Sequence, residues 1–159
     1  MAALSRERIR AAARMLTDAG GSSRDRGFRA LKVDTSNMAE LLQASGDLVQ
    51  EALLQDIDSI KPDRSSEDLL FQVLLDSGLE LNLPIERESS NGALFFRVDE
   101  DALVACFDET ISAREVSYIA QLRPLLAVFR DSAFVTDSDR INAEQIFREV
   151  SPETEVRTI

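Results

Sequence analysis

The sequence predicts an α+β fold: N-terminal helices followed by a mixed β-sheet, an antiparallel meander plus a βαβ-like crossover, with helices packed on it. Three observations predict it. Residues 1–62 carry apolar side chains mostly at helical spacing. Residues 79–107 switch to a period of two, with Ser89-Ser90-Asn91-Gly92 and Asp99-Glu100-Asp101 as intervening turns. Two short apolar runs, 103–107 and 125–129, then flank another helix-period stretch, which is the pattern of parallel strands joined through a helix.

The elements follow in chain order. Ser5 is placed to cap a helix running through Arg14 to about Asp18, with Ile9, Ala12, Ala13 and Leu16 on one face and Arg6, Arg10 and Arg14 on another. Gly20-Gly21-Ser22-Ser23 ends it as a loop. Residues 28–33 alternate polar with apolar and read as a short strand, and Asp34-Thr35-Ser36-Asn37 reads as a turn or helix cap. Residues 38–60 read as an acidic helix burying Leu48, Leu53, Leu54 and Ile57, broken at Lys61-Pro62-Asp63. Ser65 with Asp68 three residues on makes a capping box for the next helix. Glu67 and Asp68 suit its positive N-terminus, Leu69, Leu70, Val73 and Leu74 form its core face, and Gly78 closes it.

Residues 79–86 alternate strictly and read as a half-buried strand, turned by Asn91-Gly92 into a second strand at 94–98. Residues 103–107 make a third, more buried strand. A helix over about 112–122 starts at Ser112 with Glu115 at its third position. The strand at 125–129 comes next, reached by a crossover expected to be right-handed. Asp137 or Ser138 begins a helix carrying Ile141, Ile146 and Phe147, Pro152 stops it, and 156–159 reads as a terminal strand. The chain thus divides into an N-terminal helical segment, 1–62, with a short strand at 28–33, and an α+β C-terminal domain, 63–159.

Composition bounds the function. At 159 residues, 44% hydrophobic and 30% charged, the chain suits a soluble domain with a small appendage. No apolar run approaches the ~18 residues of a membrane span, and MAALSRERIR lacks the apolar centre of a secretory leader. A lone cysteine, Cys106, fits a reducing compartment, so a cytoplasmic protein is expected. The net charge of −11 is unevenly spread: residues 1–32 hold eight Lys or Arg against three Asp or Glu, and the rest hold ten against twenty-six. The acidic part repels a phosphate backbone, so any direct nucleic-acid contact is expected within the first 32 residues. The plainer reading of the basic segment is a helix that pairs with acidic groups of this chain or of a partner.

The residue inventory excludes several chemistries. Without histidine there is no Ser-His-Asp triad and no histidine-ligated metal, and one cysteine cannot build a zinc cluster. Gly20-Gly21 follows a helix, whereas phosphate-cradling glycines lie between strand and helix. Tyr118 alone, with no tryptophan, leaves few platforms for stacking bases. Five constellations remain. Arg130-Asp131 ends a buried strand, where α/β folds often hold active sites. It reads better as a structural turn in which Asp131 binds nearby backbone N–H groups. Arg26 and Arg29 flank Gly27-Phe28 and suit phosphate or carboxylate contacts, against the plainer reading of a strand edge. Asp34 to Asn37 offers too few ligands for a cation and reads as a cap. Cys106 reads as an inert core thiol, and Asp99-Glu100-Asp101 as a solvated hairpin turn.

The blocks Asp25-Arg26-Gly27-Phe28-Arg29-Ala30-Leu31-Lys32 with Ser36-Asn37, Asp68-Leu69-Leu70 to Gly78-Leu79, Leu83-Pro84-Ile85, Leu103-Val104-Ala105-Cys106-Phe107, Val128-Phe129-Arg130-Asp131-Ser132-Ala133-Phe134 and Asn142-Ala143-Glu144-Gln145-Ile146-Phe147 carry a resemblance. Their order and spacing, with the helix from Ser5 to Ala11 ahead of them, resemble the C-terminal region of the modification subunit of type III restriction–modification systems. Those subunits are site-specific DNA adenine-N6 methyltransferases.

That family needs an Asp-Pro-Pro-Tyr loop for the flipped adenine and a Phe-x-Gly-type loop for S-adenosylmethionine. The four prolines here, Pro62, Pro84, Pro124 and Pro152, include no adjacent pair, and no cofactor loop is present. In the family these loops and the target-recognition domain lie ahead of the segment that Ser5 onward resembles, so no catalytic, cofactor-binding or metal-binding residue carries over. The resemblance implies a non-catalytic C-terminal domain or fragment, packing on a methyltransferase core and supporting assembly with the restriction subunit or a homodimer. DNA would be met indirectly or through Arg6, Arg10, Arg14, Arg26 and Arg29. The alternative is a free-standing acidic interaction or regulatory module, antirestriction-like, since acidic proteins can mimic DNA.

Overall fold

A computed structural model describes residues 2–18, 27–38, 60–90 and 92–159. The backbone forms two compact units, residues 1–35 and residues 36–159. The predicted acidic helix over 38–60 and the loop at 20–23 fall largely or wholly outside the described residues.

The first unit contains helix α1 (Ala2–Asp18). It begins before Ser5, so Ser5 lies inside the helix instead of capping it; Ala2, Ala3 and Leu4 are strong helix formers and extend the first turn. The strand expected at 28–33 is not formed: residues 27–34 run as irregular backbone, with Leu31 and Val33 exposed. Alternation gives a strand two faces, but a strand exists only when a neighbour satisfies its backbone. Among the described residues, none pairs with this stretch.

The second unit is built on a five-stranded sheet whose spatial order follows the chain: β1 (Ile85–Ser90), β2 (Ala93–Val98), β3 (Leu103–Cys106), β4 (Leu126–Phe129) and β5 (Glu155–Thr158). β1, β2 and β3 are antiparallel neighbours, and β3, β4 and β5 are parallel. Ser90 pairs with Ala93, so two residues close the first hairpin, and Gly92 supplies the left-handed backbone there at φ +97°. The parallel links need helices: α3 (Ala113–Leu122) joins β3 to β4, and α4 (Asp137–Val150) joins β4 to β5. β3 and β4 are buried along their whole length, as central strands covered on both faces should be.

The sheet separates two cores. On one face, α2 (Ser66–Asp76) lays Leu69, Leu70, Val73 and Leu74 against Phe96, Val98, Leu103, Ala105 and Val128. On the other, Val116, Ile119 and Ala120 of α3 and Ala143 and Phe147 of α4 cover Phe95, Val104, Cys106, Ala127 and Phe129. Phe95 and Phe96 are adjacent and point to opposite faces, so one pleat of β2 anchors both layers.

The helix ends follow local rules. Ser65 with Asp68, Ser112 with Glu115 and Thr136 with Asp139 each close a capping box. The α4 cap is Thr136, ahead of the expected Asp137 or Ser138. After α2 the Leu79 N–H reaches the Leu74 carbonyl at 2.8 Å and the Gly78 N–H the Leu75 carbonyl at 3.1 Å, a Schellman ending that needs Gly78 at φ +68°. The strand predicted over 79–86 begins only at Ile85. Pro84, which has no N–H to give a ladder, precedes it, and residues 79–83 turn. Their alternation still predicts burial: Leu79, Leu81 and Leu83 pack on the α2 core, while Glu80 and Asn82 are exposed. Among the described residues, no helix is long and apolar enough to cross a membrane.

Candidate interaction site

Arg6, Arg10 and Arg14 recur every fourth residue on α1, so their side chains lie one above another, and all three are exposed. Ile9 and Ala12, on the face expected to be apolar, are also exposed, and Ala13 is half-buried. The helix therefore presents a cationic stripe beside an apolar one. Arg29 is exposed in the irregular stretch after Gly27, and Arg26 lies outside the described residues.

The turn 34–37 is an anchor. The Ser36 hydroxyl accepts from the Met38 N–H at 3.1 Å, and Met38 bridges to Ile60. Asn37 is buried; its Nδ2 donates to the Asp68 carbonyl at 2.8 Å, and its backbone N–H donates to Gln72 Oε1 at 3.3 Å. Asn37 thus fastens the start of the second unit to α2. Sequence reasoning named the residue but not this role, because the acceptors lie more than thirty positions away in the chain.

Arg130 and Asp131 stand where the sequence placed them, at the end of β4, leading into a short 3-10 turn, Asp131–Ala133. The backbone holds this turn: the Asp131 N–H donates to the Ile159 carbonyl at 2.9 Å and the Phe134 N–H to the Asp131 carbonyl at 3.3 Å. The Asp131 carboxylate, expected on backbone N–H groups, accepts from Arg140 Nη1 of α4 at 3.3 Å. Cys106 is the core residue expected, and burial pushes its thiol up to about 11, well away from a reactive thiolate at neutral pH. Among the described residues, no group of three His, Cys, Asp or Glu side chains could hold a metal ion.

A polar cluster on the sheet joins residues that sequence reasoning did not connect. Arg97 of β2 forks onto Asp101, Nε to Oδ1 at 2.5 Å and Nη2 to Oδ2 at 2.8 Å, and its Nη1 reaches Glu88 Oε2 of β1 at 3.0 Å. The Tyr118 hydroxyl of α3 donates to Glu88 Oε1 at 2.6 Å. Asp99, Glu100 and Asp101 all sit at positive φ, 51°, 51° and 74°, a conformation costly for residues with a Cβ. The Arg97 fork holds that turn from within.

The electrostatics mark the cluster as a clamp. The Tyr118 hydroxyl, and then the Arg97 guanidinium, hold the Glu88 carboxyl below its usual range, while the bond to Glu88 raises the Tyr118 phenol. Glu88 thus stays ionised and Tyr118 stays protonated at neutral pH. A general acid and base need proton affinities shifted towards neutrality, and both groups move away from it. The signal available in the sequence was Arg97 alone, a single cation inside the apolar strand Leu94-Phe95-Phe96-Arg97-Val98. No family model matches the chain, and no curated protein or solved structure matches it either.

Proposed function

We propose that this chain is a non-catalytic assembly domain of a type III restriction–modification DNA adenine methyltransferase, docking on the methyltransferase core through α1. The observation that carries the docking role is the exposed stripe Arg6, Arg10 and Arg14 beside exposed Ile9 on one continuous helix. Such a surface suits a partner with carboxylates set around an apolar strip, because each arginine gains a charge-assisted bond while the apolar face leaves water. The family name rests on the order of the sequence blocks. S-adenosylmethionine and the flipped adenine would belong to the core, the restriction subunit would join the same cytoplasmic complex, and DNA would be touched through the basic segment alone.

The test is capture of the separately expressed methyltransferase core by this chain over a salt titration, with the triple variant Arg6→Glu, Arg10→Glu, Arg14→Glu alongside. Stoichiometric capture that weakens with salt, and at least tenfold in the triple variant, is the expected result. Absence of capture, or capture indifferent to the triple variant, removes the proposal. Methyl transfer by this chain alone would remove its non-catalytic half. A second reading is favoured by one observation: residues 33–159 carry ten basic and twenty-six acidic side chains. That body would suit a free-standing, antirestriction-like module competing with DNA for a basic surface of the restriction complex. It predicts competition that survives the α1 triple variant.

A further inference from the structure

We propose that β5 is a homodimerisation edge, pairing antiparallel with β5 of a second copy of this chain about a two-fold axis at Val156. β5 ends the sheet order, and among the described residues it pairs with β4 alone. The Glu155 N–H donates to the Leu125 carbonyl at 2.9 Å and the Ile159 N–H to the Phe129 carbonyl at 3.0 Å. Odd positions therefore turn their backbone groups towards β4. Val156 and Thr158 turn theirs outward, because alternate residues of a parallel strand bond to opposite sides.

The side chains say what fits that edge. Glu155 and Arg157 share one face of β5, and Arg157 Nε lies 2.7 Å from Glu155 Oε1. Two-fold pairing centred on Val156 sets Glu155 opposite the partner's Arg157 and Arg157 opposite the partner's Glu155. Each arginine then lies between two carboxylates, and the four charges alternate in sign. Val156 meets the partner's Val156 as a hydrogen-bonded pair, and the Thr158 N–H points at the carbonyl of the partner's Thr154. Edge strands commonly carry charges to repel such pairing, but that works when like faces like; here the pattern is complementary to itself. On the other face, Val156 lines a groove of about 230 Å³ with Phe134, Ala143, Arg140 and Glu144, beside the position of the partner's valine. The interface is isologous, so it closes as a dimer and joins two five-stranded sheets into one continuous sheet.

This proposal does not depend on the restriction–modification reading, and its test uses the 159-residue chain without any partner protein. Sedimentation equilibrium should show a monomer–dimer equilibrium. Arg157→Glu gives four facing carboxylates and Glu155→Arg four facing guanidiniums, and each should weaken the dimer at least tenfold. Both positions are exposed, so the monomer's circular dichroism should not change. Mixing those two variants sets carboxylates opposite guanidiniums across the seam again and should yield a heterodimer, while Thr158→Pro removes an outward N–H and should weaken pairing without any charge change. A chain that stays monomeric to about millimolar concentration, or a dimer that none of these variants weakens, overturns the proposal.

Discussion

Tyr118 ties α3 to the outer strand of the sheet through one atom, its hydroxyl on Glu88, and packs its ring, tilted, with its centroid 5.5 Å from that of Phe95. Removing that atom alone, by Tyr118→Phe, keeps the ring and isolates the bond. Glu88 is one-third exposed, 34%, so the loss should be about 1 kcal/mol near pH 7, below the usual figure for a hydrogen bond to a buried charge. The pH dependence has a defined sign. A carboxyl held below its ordinary 4.5 contributes stability that is present above 4.5 and is lost as pH falls through the folded value. A phenol raised above its ordinary 10.0 contributes stability below 10.0 that is lost as pH rises through its folded value. The gap between wild type and Tyr118→Phe should therefore be level through neutrality, shrink below pH 4.5 and shrink again above pH 10.0. Urea unfolding across that range measures it, and a gap indifferent to acid would remove Glu88 as the acceptor that matters.

At the scale of elements, what could be read from the sequence was what is decided locally. Ser65 with Asp68 and Ser112 with Glu115 mark helix starts because a cap and its reciprocal carboxylate lie three residues apart. Gly78 marks an end because left-handed backbone is cheap only without a Cβ. Gly78→Ala should cost about 1 kcal/mol, although a methyl there meets no atom within 4 Å, since the cost lies in the φ of +68° and not in crowding. Thr136→Ala should cost a similar ~1 kcal/mol through the α4 cap, and the two losses should add because they sit on separate helices. Thermal unfolding of the single and double variants checks both; a Gly78→Ala chain as stable as wild type would contradict the Schellman ending. The misreadings have the opposite character. Residues 28–33 and 79–83 carry strand-like patterns, but among the described residues no strand pairs with them, and pairing is not a local property. The Arg97 clamp was illegible for the same reason. Glu88 meets Arg97 through the hairpin register and Tyr118 through the docking of α3, thirty residues on.

At the scale of the whole molecule, the α+β unit carries everything a domain requires: a covered sheet, a core on each face, and capped helices. A chain of residues 36–159 should therefore fold alone. Starting at Ser36 keeps Asn37, whose bonds to Asp68 and Gln72 seat the first turn on α2; starting at 63, the boundary that the order of predicted elements suggested, discards them and the Met38–Ile60 bridge. The 36–159 chain should unfold cooperatively, and the 63–159 chain at a lower temperature. Charge adds a second, independent expectation. Residues 36–159 hold ten basic and twenty-five acidic side chains, without the cationic first unit to offset them. Mutual repulsion then opposes compaction, and salt screens it as the Debye length falls from about 30 Å at 0.01 M to about 8 Å at 0.15 M. The urea midpoint of the 36–159 chain should thus rise with sodium chloride over that range, and rise less for the full chain. Identical salt slopes for the two chains would mean that the basic segment leaves the stability of the acidic body unchanged, and a non-cooperative 36–159 chain would mean that its two cores do not suffice.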